Sequence, residues 1–268
     1  MEQVLTSKLS SWKAQGEAPE YYELRNRGPY KPTVMSELNR FGGQMGPYED
    51  ALLPLRSVDY INASPIDNLG EGAPAFVATM CPKRSTFAHF WSMVWETEAR
   101  LIINLTHERD KVGSEASDKR EQYWPPFDDK MACEAARWPV RVRTLGLEAC
   151  TQVPGLSRYA IELTGPDAQT RTVALYWYSR WLDFPASSSI GTKPFFSNAQ
   201  NVLHVALHVS SLLEHALGAD HRSVCHCSAG VGRTGTLIAL VRLQYIKIYI
   251  CIYIYIYKSR PIALRRSP

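Results

Sequence analysis

Short apolar runs bounded by polar, glycine or proline turns recur along the chain, a pattern typical of buried β-strands. The run LIINL at 101–105 is a clear example, because its apolar side chains would point to both faces of a sheet. Residues 59–64 are expected to form a short strand that enters a loop. The predicted strands are residues 59–64, 76–79, 101–105, 141–143, 158–164, 171–178 and 223–226.

Helical periodicity appears in the segments between these strands. Residues 86–96 (TFAHFWSMVWE) carry apolar side chains three and four positions apart, as one buried helix face requires. Ser197 is expected to cap a longer helix over 198–217, which Gly218 would end. A last helix starts near Arg233, after a strand and a glycine-rich loop. This strand, loop and helix order in an α/β chain is a common setting for anion sites.

The composition is that of an ordinary globular protein, since 45% of the 268 residues are hydrophobic and 21% are charged. The net charge of +4 belongs to the C-terminal end, because residues 246–268 hold five basic and no acidic side chains. The remainder is nearly neutral, so we expect no nucleic-acid binding. Six cysteines and a polar N-terminus indicate free thiols and no secretory signal, hence a cytoplasmic or nuclear protein without membrane attachment.

The segment HCSAGVGRTG at 226–235 carries the candidate chemistry. It places Cys227 at a strand end and Arg233 at a helix start, which suits a tetrahedral oxyanion bound by backbone N–H groups, the helix N-terminus and a planar guanidinium. The same field would lower the pKa of Cys227, so that its thiolate can attack phosphorus. Glycines at 230, 232 and 235 would permit tight curvature and close approach of a phosphate. The residues expected to line this cradle are Ser228, Ala229, Gly230, Val231, Gly232 and Arg233.

Two simpler interpretations of this segment explain less of it. A single cysteine is usually a small buried apolar residue. The spacing of Gly230, Gly232 and Gly235 also fits the dinucleotide-binding pattern, but no acidic residue follows to bind a ribose. Neither interpretation accounts for both Cys227 and Arg233, whereas an oxyanion cradle accounts for both.

The segment resembles the signature of the cysteine-dependent protein tyrosine phosphatases, and in particular of their phosphotyrosine-specific branch. Four further motifs resemble landmarks of that family in the same order: YINAS at 60–64, FW to WE at 90–96, LT at 105–106 and YWP at 123–125. The resemblance extends from about Asn39 to Gln244. It implies an α/β fold with a twisted, mixed central sheet flanked by helices. It also implies hydrolysis of phosphotyrosine in proteins, with Cys227 as the nucleophile, Arg233 as the phosphate ligand and no cofactor.

The family also uses a general acid on a mobile loop, usually written WPD. Trp181-Leu-Asp183 stands at the corresponding place, so the resemblance assigns to Asp183 protonation of the tyrosine oxygen. Leu182 replaces the usual proline and Pro185 stands where the family prefers glycine. Both changes concern loop closure rather than the acid itself.

The resemblance assigns supporting roles to four more residues. Phe41 stands where the family stacks an aromatic ring on the phosphotyrosine, although the aspartate that usually follows it is absent. Lys119 resembles a lysine that approaches the acid loop. His226 is expected to order the phosphate loop by hydrogen bonding, and Thr234 to donate a hydrogen bond to the sulfur of Cys227.

No metal site is expected. His204 and His208 lie four positions apart on a predicted helix, which suits metal ligation. No third ligand is evident in the sequence, and the implied mechanism uses no metal. Cys225, two residues before the nucleophile, is interpreted as a buried strand residue rather than a redox partner.

Three regions are predicted: a partly helical N-terminal extension at 1–30, a catalytic domain at 31–245, and a low-complexity tail at 246–268. The tail alternates Ile and Tyr, as translation of a TA dinucleotide repeat would, so we interpret it as translated non-coding sequence. A strand and a membrane anchor are the alternatives.

The predicted catalytic domain lacks a glutamine motif that comes after the phosphate loop in the family and positions the hydrolytic water. A phosphotyrosine-binding protein without turnover and a nonfunctional product therefore stay open as alternatives to an enzyme. We also expect the helix after the loop to expose Leu237, Leu240 and Val241, since the family covers this helix with later segments.

Overall fold

The computed structural model describes Leu38 and residues 53–67, 74–107, 120–127, 130–135, 138–181, 194–214 and 222–258. The chain divides into two units, Met1–Pro32 and Thr33–Pro268, and the described residues all belong to the second. The N-terminal extension predicted at 1–30 lies outside the described residues.

Among the described residues, eight strands form one sheet in the order β1-β2-β8-β3-β7-β6-β5-β4. The four neighbours β2, β8, β3 and β7 run parallel, while β1 and the strands from β6 to β4 join antiparallel. The predicted mixed α/β sheet is therefore confirmed. The strands are β1 Ala63–Ile66, β2 Phe76–Thr79, β3 Leu101–Asn104, β4 Lys130–Ala135, β5 Trp138–Ala149, β6 Leu156–Thr164, β7 Thr170–Tyr178 and β8 Ser223–His226.

Helices cover both faces of the sheet. They are α1 Phe87–Glu96, preceded by a 3₁₀ turn at Arg84–Thr86, then α2 Pro194–Leu212 and α3 Gly232–Lys258. On β3, Ile102 faces the cluster that contains the α1 side chains, while Leu101 and Ile103 face the cluster formed with α2 and α3. Alternate residues of one strand thus supply two cores, which is why β3 is apolar at three successive positions, Leu101 to Ile103.

The structure agrees with most of the predicted elements and corrects several boundaries. Strands β2 and β8 have the predicted limits. Strand β1 begins at Ala63, so most of the strand predicted at 59–64 is irregular. Ser197 does not cap α2, because the helix already begins at Pro194; proline suits a first helical turn, where its missing N–H is not needed.

Helix α3 contradicts the predicted exposed patch. Leu237 and Val241 are fully buried, because they pack against α2 residues such as Val209. Leu240 is partly exposed, and the neighbouring Leu243 is 61% exposed. The helix continues to Lys258, so the strand interpretation of the tail is wrong. Within the described part of the chain, no helix is long and apolar enough to cross a membrane. The origin of residues 246–268 stays a prediction.

Candidate active site

The loop at 227–231 joins β8 to α3 at the carboxyl edge of the parallel strands. Cys227 directly follows β8 and is 3% exposed, and Arg233 lies in the first turn of α3 with 6% exposure. A buried thiol and a buried guanidinium therefore lie at the two ends of a loop that leads into a helix N-terminus, where the macrodipole favours negative charge. Along the loop, Ser228 is buried, Ala229 is half-buried and Val231 is 60% exposed, so the loop opens toward solvent at its apex.

Gly230 is the glycine on which the loop conformation depends. Its φ is +81°, and a Cβ at this position would lie 2.4 Å from the carbonyl oxygen of Thr79. A side chain would therefore be strained and would clash with backbone. The curvature does not depend on Gly232 or Gly235, because neither has a positive φ and a Cβ at either meets no protein atom within 4 Å. That these two glycines let a phosphate approach closely stays a prediction.

Arg233 connects the start of α3 to the segments that follow β3 and β7. Its Nη1 donates one hydrogen bond to the carbonyl of Leu105, at 3.0 Å, and another to the carbonyl of Trp181, at 2.9 Å. Leu105 follows β3, and Trp181 lies just beyond β7 at the start of the predicted acid loop. These two hydrogen bonds fix the guanidinium, and its position therefore depends on the segment that carries Trp181.

His226 is the last residue of β8, and each of its ring nitrogens lies within hydrogen-bond distance of a partner. Nδ1 is 3.1 Å from the carbonyl oxygen of Cys227, and Nε2 is 2.6 Å from the hydroxyl of Tyr123. Because a carbonyl can only accept, Nδ1 carries the proton and Nε2 accepts from Tyr123. Burial raises the pKa of Tyr123 well above its ordinary value, so this hydroxyl remains a donor. That His226 orders the phosphate loop through these hydrogen bonds stays a prediction.

Thr234 does not make the predicted hydrogen bond to the sulfur of Cys227. Its hydroxyl is fully buried and has no hydrogen-bond partner of good geometry among the described residues. It instead faces Cys225, whose pKa is raised by burial and by Cys227 and lowered by the Thr234 hydroxyl. Cys225 itself is fully buried on β8, as expected for a strand residue.

Three predicted site residues, Phe41, Lys119 and Asp183, lie outside the described residues, as do Leu182 and Pro185. In the described part of the chain, no three His, Cys, Asp or Glu side chains are grouped as a metal site would require.

The sequence did not identify the partners that hold the site together. The carbonyls of Leu105 and Trp181 carry no sequence signal, since any residue type supplies a carbonyl. Tyr123 stood out only as part of a motif, and its bond to His226 joins distant segments. The signal available in the sequence is the tyrosine of the YWP motif at 123–125. A tyrosine that is buried needs a hydrogen-bond partner for its hydroxyl.

A thiol, a guanidinium and a helix N-terminus at one strand edge can bind a tetrahedral dianion and offer it a nucleophile. Comparison with known proteins agrees with this chemistry. A family model described as "Protein-tyrosine phosphatase" matches residues 36–249, which include the loop, Arg233, His226 and Tyr123.

Several curated proteins are similar to the chain. "Tyrosine-protein phosphatase non-receptor type 2" of Rattus norvegicus is 30% identical over 229 residues, which cover 81% of this chain and 50% of that protein. "Tyrosine-protein phosphatase non-receptor type 61F" of Drosophila melanogaster is 32% identical, over 74% of this chain and 34% of its own length. "Receptor-type tyrosine-protein phosphatase eta" of Gallus gallus is 28% identical, over 85% of this chain and 15% of its own length.

The chain spans about half the length of the rat relative. The family match nevertheless covers most of the chain and the whole of the described loop. The chain belongs to the protein-tyrosine phosphatase family.

Proposed function

We propose that the protein hydrolyses phosphotyrosine in proteins through a phosphocysteine intermediate at Cys227. The observation that carries this proposal is the arrangement of Cys227 and Arg233, both buried, on either side of a loop that Gly230 allows to curve. A binding protein would need the anion cradle alone, whereas a buried thiol at its base also supplies a nucleophile.

Binding of the phosphate rests on charge and backbone geometry. The N–H groups at the start of α3 supply positive potential, and Arg233 supplies a planar pair of donors for two phosphate oxygens. Its hydrogen bonds to Leu105 and Trp181 orient the guanidinium before substrate arrives, which lowers the ordering cost of the transition state.

The chemistry proceeds in two displacements. The thiolate of Cys227 attacks phosphorus, the bond between phosphorus and the tyrosine oxygen breaks, and Asp183 donates its proton to that oxygen. Water then attacks the phosphocysteine, Asp183 takes the proton from the water, and the thiolate leaves with release of inorganic phosphate. A positioned acid contributes about 10²–10⁴ in rate to such a step.

The proposal extends to substrate and location. The catalytic domain comprises residues 31–245, and Phe41 stacks on the phosphotyrosine ring, with Lys119 beside the acid loop. The substrates are phosphotyrosine-containing proteins of the cytoplasm or nucleus, where a reduced Cys227 persists.

The test is phosphate release from one peptide sequence prepared with phosphotyrosine, phosphoserine or phosphothreonine. We expect release from the phosphotyrosine peptide alone. Rapid acid quenching during turnover should leave one phosphoryl group on the proteolytic fragment that contains Cys227, as mass spectrometry would show. Phosphate release without a phosphorylated fragment, or equal release from all three peptides, would contradict the proposed reaction.

A further inference from the structure

Asn104 is a polar residue at the end of the otherwise apolar strand β3. Its side chain is fully buried, and the residues before it, Leu101 to Ile103, pack into the core. In the parallel pairing of β3 with β8, Asn104 lies opposite His226, the residue before the nucleophile. Burial of an amide is unfavourable unless the amide is hydrogen-bonded, so Asn104 needs partners within the core.

The side-chain oxygen of Asn104 accepts two hydrogen bonds from Thr106. The backbone nitrogen of Thr106 is 2.9 Å from Oδ1, and the hydroxyl oxygen of Thr106 is 2.7 Å from it. Because a backbone N–H can only donate, the atom that it meets is the amide oxygen of Asn104 and not the amide nitrogen. A hydrogen bond from the N–H two residues further on to an Asn side chain forms an Asx-turn. Asn104 therefore sets the direction in which the chain leaves β3.

The turn contains two residues whose four backbone polar groups all have partners. The N–H of Leu105 donates to the carbonyl of His226, at 2.8 Å, and the carbonyl of Leu105 accepts from Nη1 of Arg233, at 3.0 Å. The N–H of Thr106 donates within the turn, and the carbonyl of Thr106 accepts from the Trp177 indole, at 2.8 Å. The direction of the Leu105 carbonyl is thus set on one side by the ladder with β8 and on the other side by the turn.

We propose that Asn104 is a positioning residue for the phosphate site. Its side chain holds the turn at 104–106, and the turn keeps the carbonyl of Leu105 where Arg233 donates to it. The guanidinium is thereby oriented before a phosphate group arrives, which lowers the ordering cost of binding and of the transition state. The inference rests on the proposed function, because it assumes that a phosphate group of the substrate occupies the loop.

The side chain of Asn104 also adjoins the hydroxyl of Tyr123. Burial raises the pKa of this hydroxyl, and a contact with the Asn104 side chain lowers it. Any substitution of Asn104 therefore changes both the turn and the surroundings of Tyr123. A test of the turn needs two variants that both lose the contact with Tyr123 and that differ only in their ability to form the turn.

Asn104→Thr and Asn104→Val are such a pair, because the two new side chains have nearly the same shape. The hydroxyl of Thr can accept from the N–H two residues further on, as in an ST-turn, whereas Val has no acceptor. In the Cys227→Ser background, we expect Asn104→Val to weaken binding of a phosphotyrosine peptide about three- to tenfold, as the loss of one orienting hydrogen bond would. Asn104→Thr should recover most of this affinity. Calorimetric titration measures the affinities, and Asn104→Ser with Asn104→Ala forms a second pair of the same design if Asn104→Val does not fold.

Thr97→Ala is the matched control for loss of a side-chain hydrogen bond. The hydroxyl of Thr97 donates to the carbonyl of Met93 at 2.7 Å, but Thr97 lies between α1 and the start of β3, whereas the phosphate loop lies at the end of β3. Thr97→Ala should lower the free energy of unfolding in urea and keep the affinity for the peptide. Equal losses of affinity in Asn104→Thr and Asn104→Val, or a similar loss in Thr97→Ala, would overturn the positioning role.

A double-mutant cycle tests whether the effect of Asn104 passes through Arg233. When Arg233→Lys is already present, Asn104→Val should change the affinity by less than about twofold, because the planar guanidinium that the turn positions is absent. The same loss with and without Arg233→Lys would overturn the inference.

These affinities do not depend on turnover, so the inference and the proposed hydrolysis can fail separately. Coupling between Asn104 and Arg233 in binding, with no phosphate release by the wild-type protein, would overturn the hydrolysis and support the positioning role. Phosphate release by the wild-type protein, with no coupling in the cycle, would overturn the positioning role and leave the hydrolysis standing.

Discussion

The hydroxyl oxygen of Tyr123 lies 2.6 Å from Nε2 of His226, and this hydrogen bond joins residues 103 positions apart in the sequence. Tyr123 is fully buried, its ring meets those of Phe90 and Trp91 edge-on or tilted, and its carbonyl accepts from the Trp91 indole N–H. His226 in turn donates from Nδ1 to the carbonyl of Cys227. The backbone of the nucleophile is thus tied to the aromatic core through one imidazole of fixed tautomer.

Removing the hydroxyl of Tyr123 tests the importance of its hydrogen bond to His226. Tyr123→Phe leaves the Nε2 acceptor of His226 buried without its donor, which should lower the free energy of unfolding by about 1–3 kcal/mol. We also expect kcat for para-nitrophenyl phosphate to fall about three- to tenfold, because the imidazole loses one of the two bonds that orient it. Urea unfolding and steady-state kinetics measure the two effects. Tyr159→Phe, at a half-buried tyrosine, is the control, and equal losses in both variants would contradict the role of Tyr123.

Cys227 and Cys225 offer a matched comparison of two buried thiols two residues apart. Cys227→Ser should abolish turnover and retain binding of a phosphotyrosine peptide, because the loop N–H groups and Arg233 remain. Cys225→Ser puts a hydroxyl in an apolar core and should cost about 1–3 kcal/mol of stability, with turnover kept. Calorimetric titration with the phosphotyrosine peptide measures binding by Cys227→Ser, and phosphate release measures turnover by both variants. If Cys227→Ser still turned over substrate, the thiol of Cys227 would not be the nucleophile.

Arg233→Lys keeps the charge but removes the planar fork. A lysine cannot reproduce the paired contacts with phosphate or the two carbonyl contacts at Leu105 and Trp181, so we expect kcat/KM to fall by about 10²–10³. Arg242→Lys is the control on the same helix, since Arg242 donates to the carbonyls of Ile66 and Asp67. Comparable kinetics for Arg233→Lys and Arg242→Lys would show that the guanidinium of Arg233 is not needed in the transition state.

Features that depend on neighbouring residues can be predicted from this sequence, whereas contacts between distant segments cannot. The predicted limits of β2 and β8 match the structure; β8 was bounded by the motif that follows it, because His226 begins the phosphate-loop segment. Strand β4, KMACEA, was missed, since it has neither such a run nor clean alternation. The loop residues Cys227 and Arg233 were recognisable because they lie within one short motif, whereas the partners of His226 and Arg233 come from segments far along the chain.

Burial of α3 illustrates the same limit in the core. The expected exposure of Leu237 and Val241 assumes that only segments later in the chain can cover α3, but their cover is α2, which precedes it. Helical periodicity identifies an apolar face without saying which element packs on it.

The motif contains three glycines, and of these only Gly230 has a positive φ. Replacing each glycine by alanine should therefore have different effects on stability. Gly230→Ala must hold φ near +81° and place a Cβ 2.4 Å from the Thr79 carbonyl, so we expect a loss of more than about 2 kcal/mol in unfolding free energy and a distorted loop. Gly235→Ala lies inside α3 with open space around it and should gain about 0.5–1 kcal/mol from helix propensity. Urea unfolding of the two variants and the wild-type protein measures both changes. A stable Gly230→Ala protein would mean that the loop reaches its shape without the left-handed residue, and the anion cradle would then need another explanation.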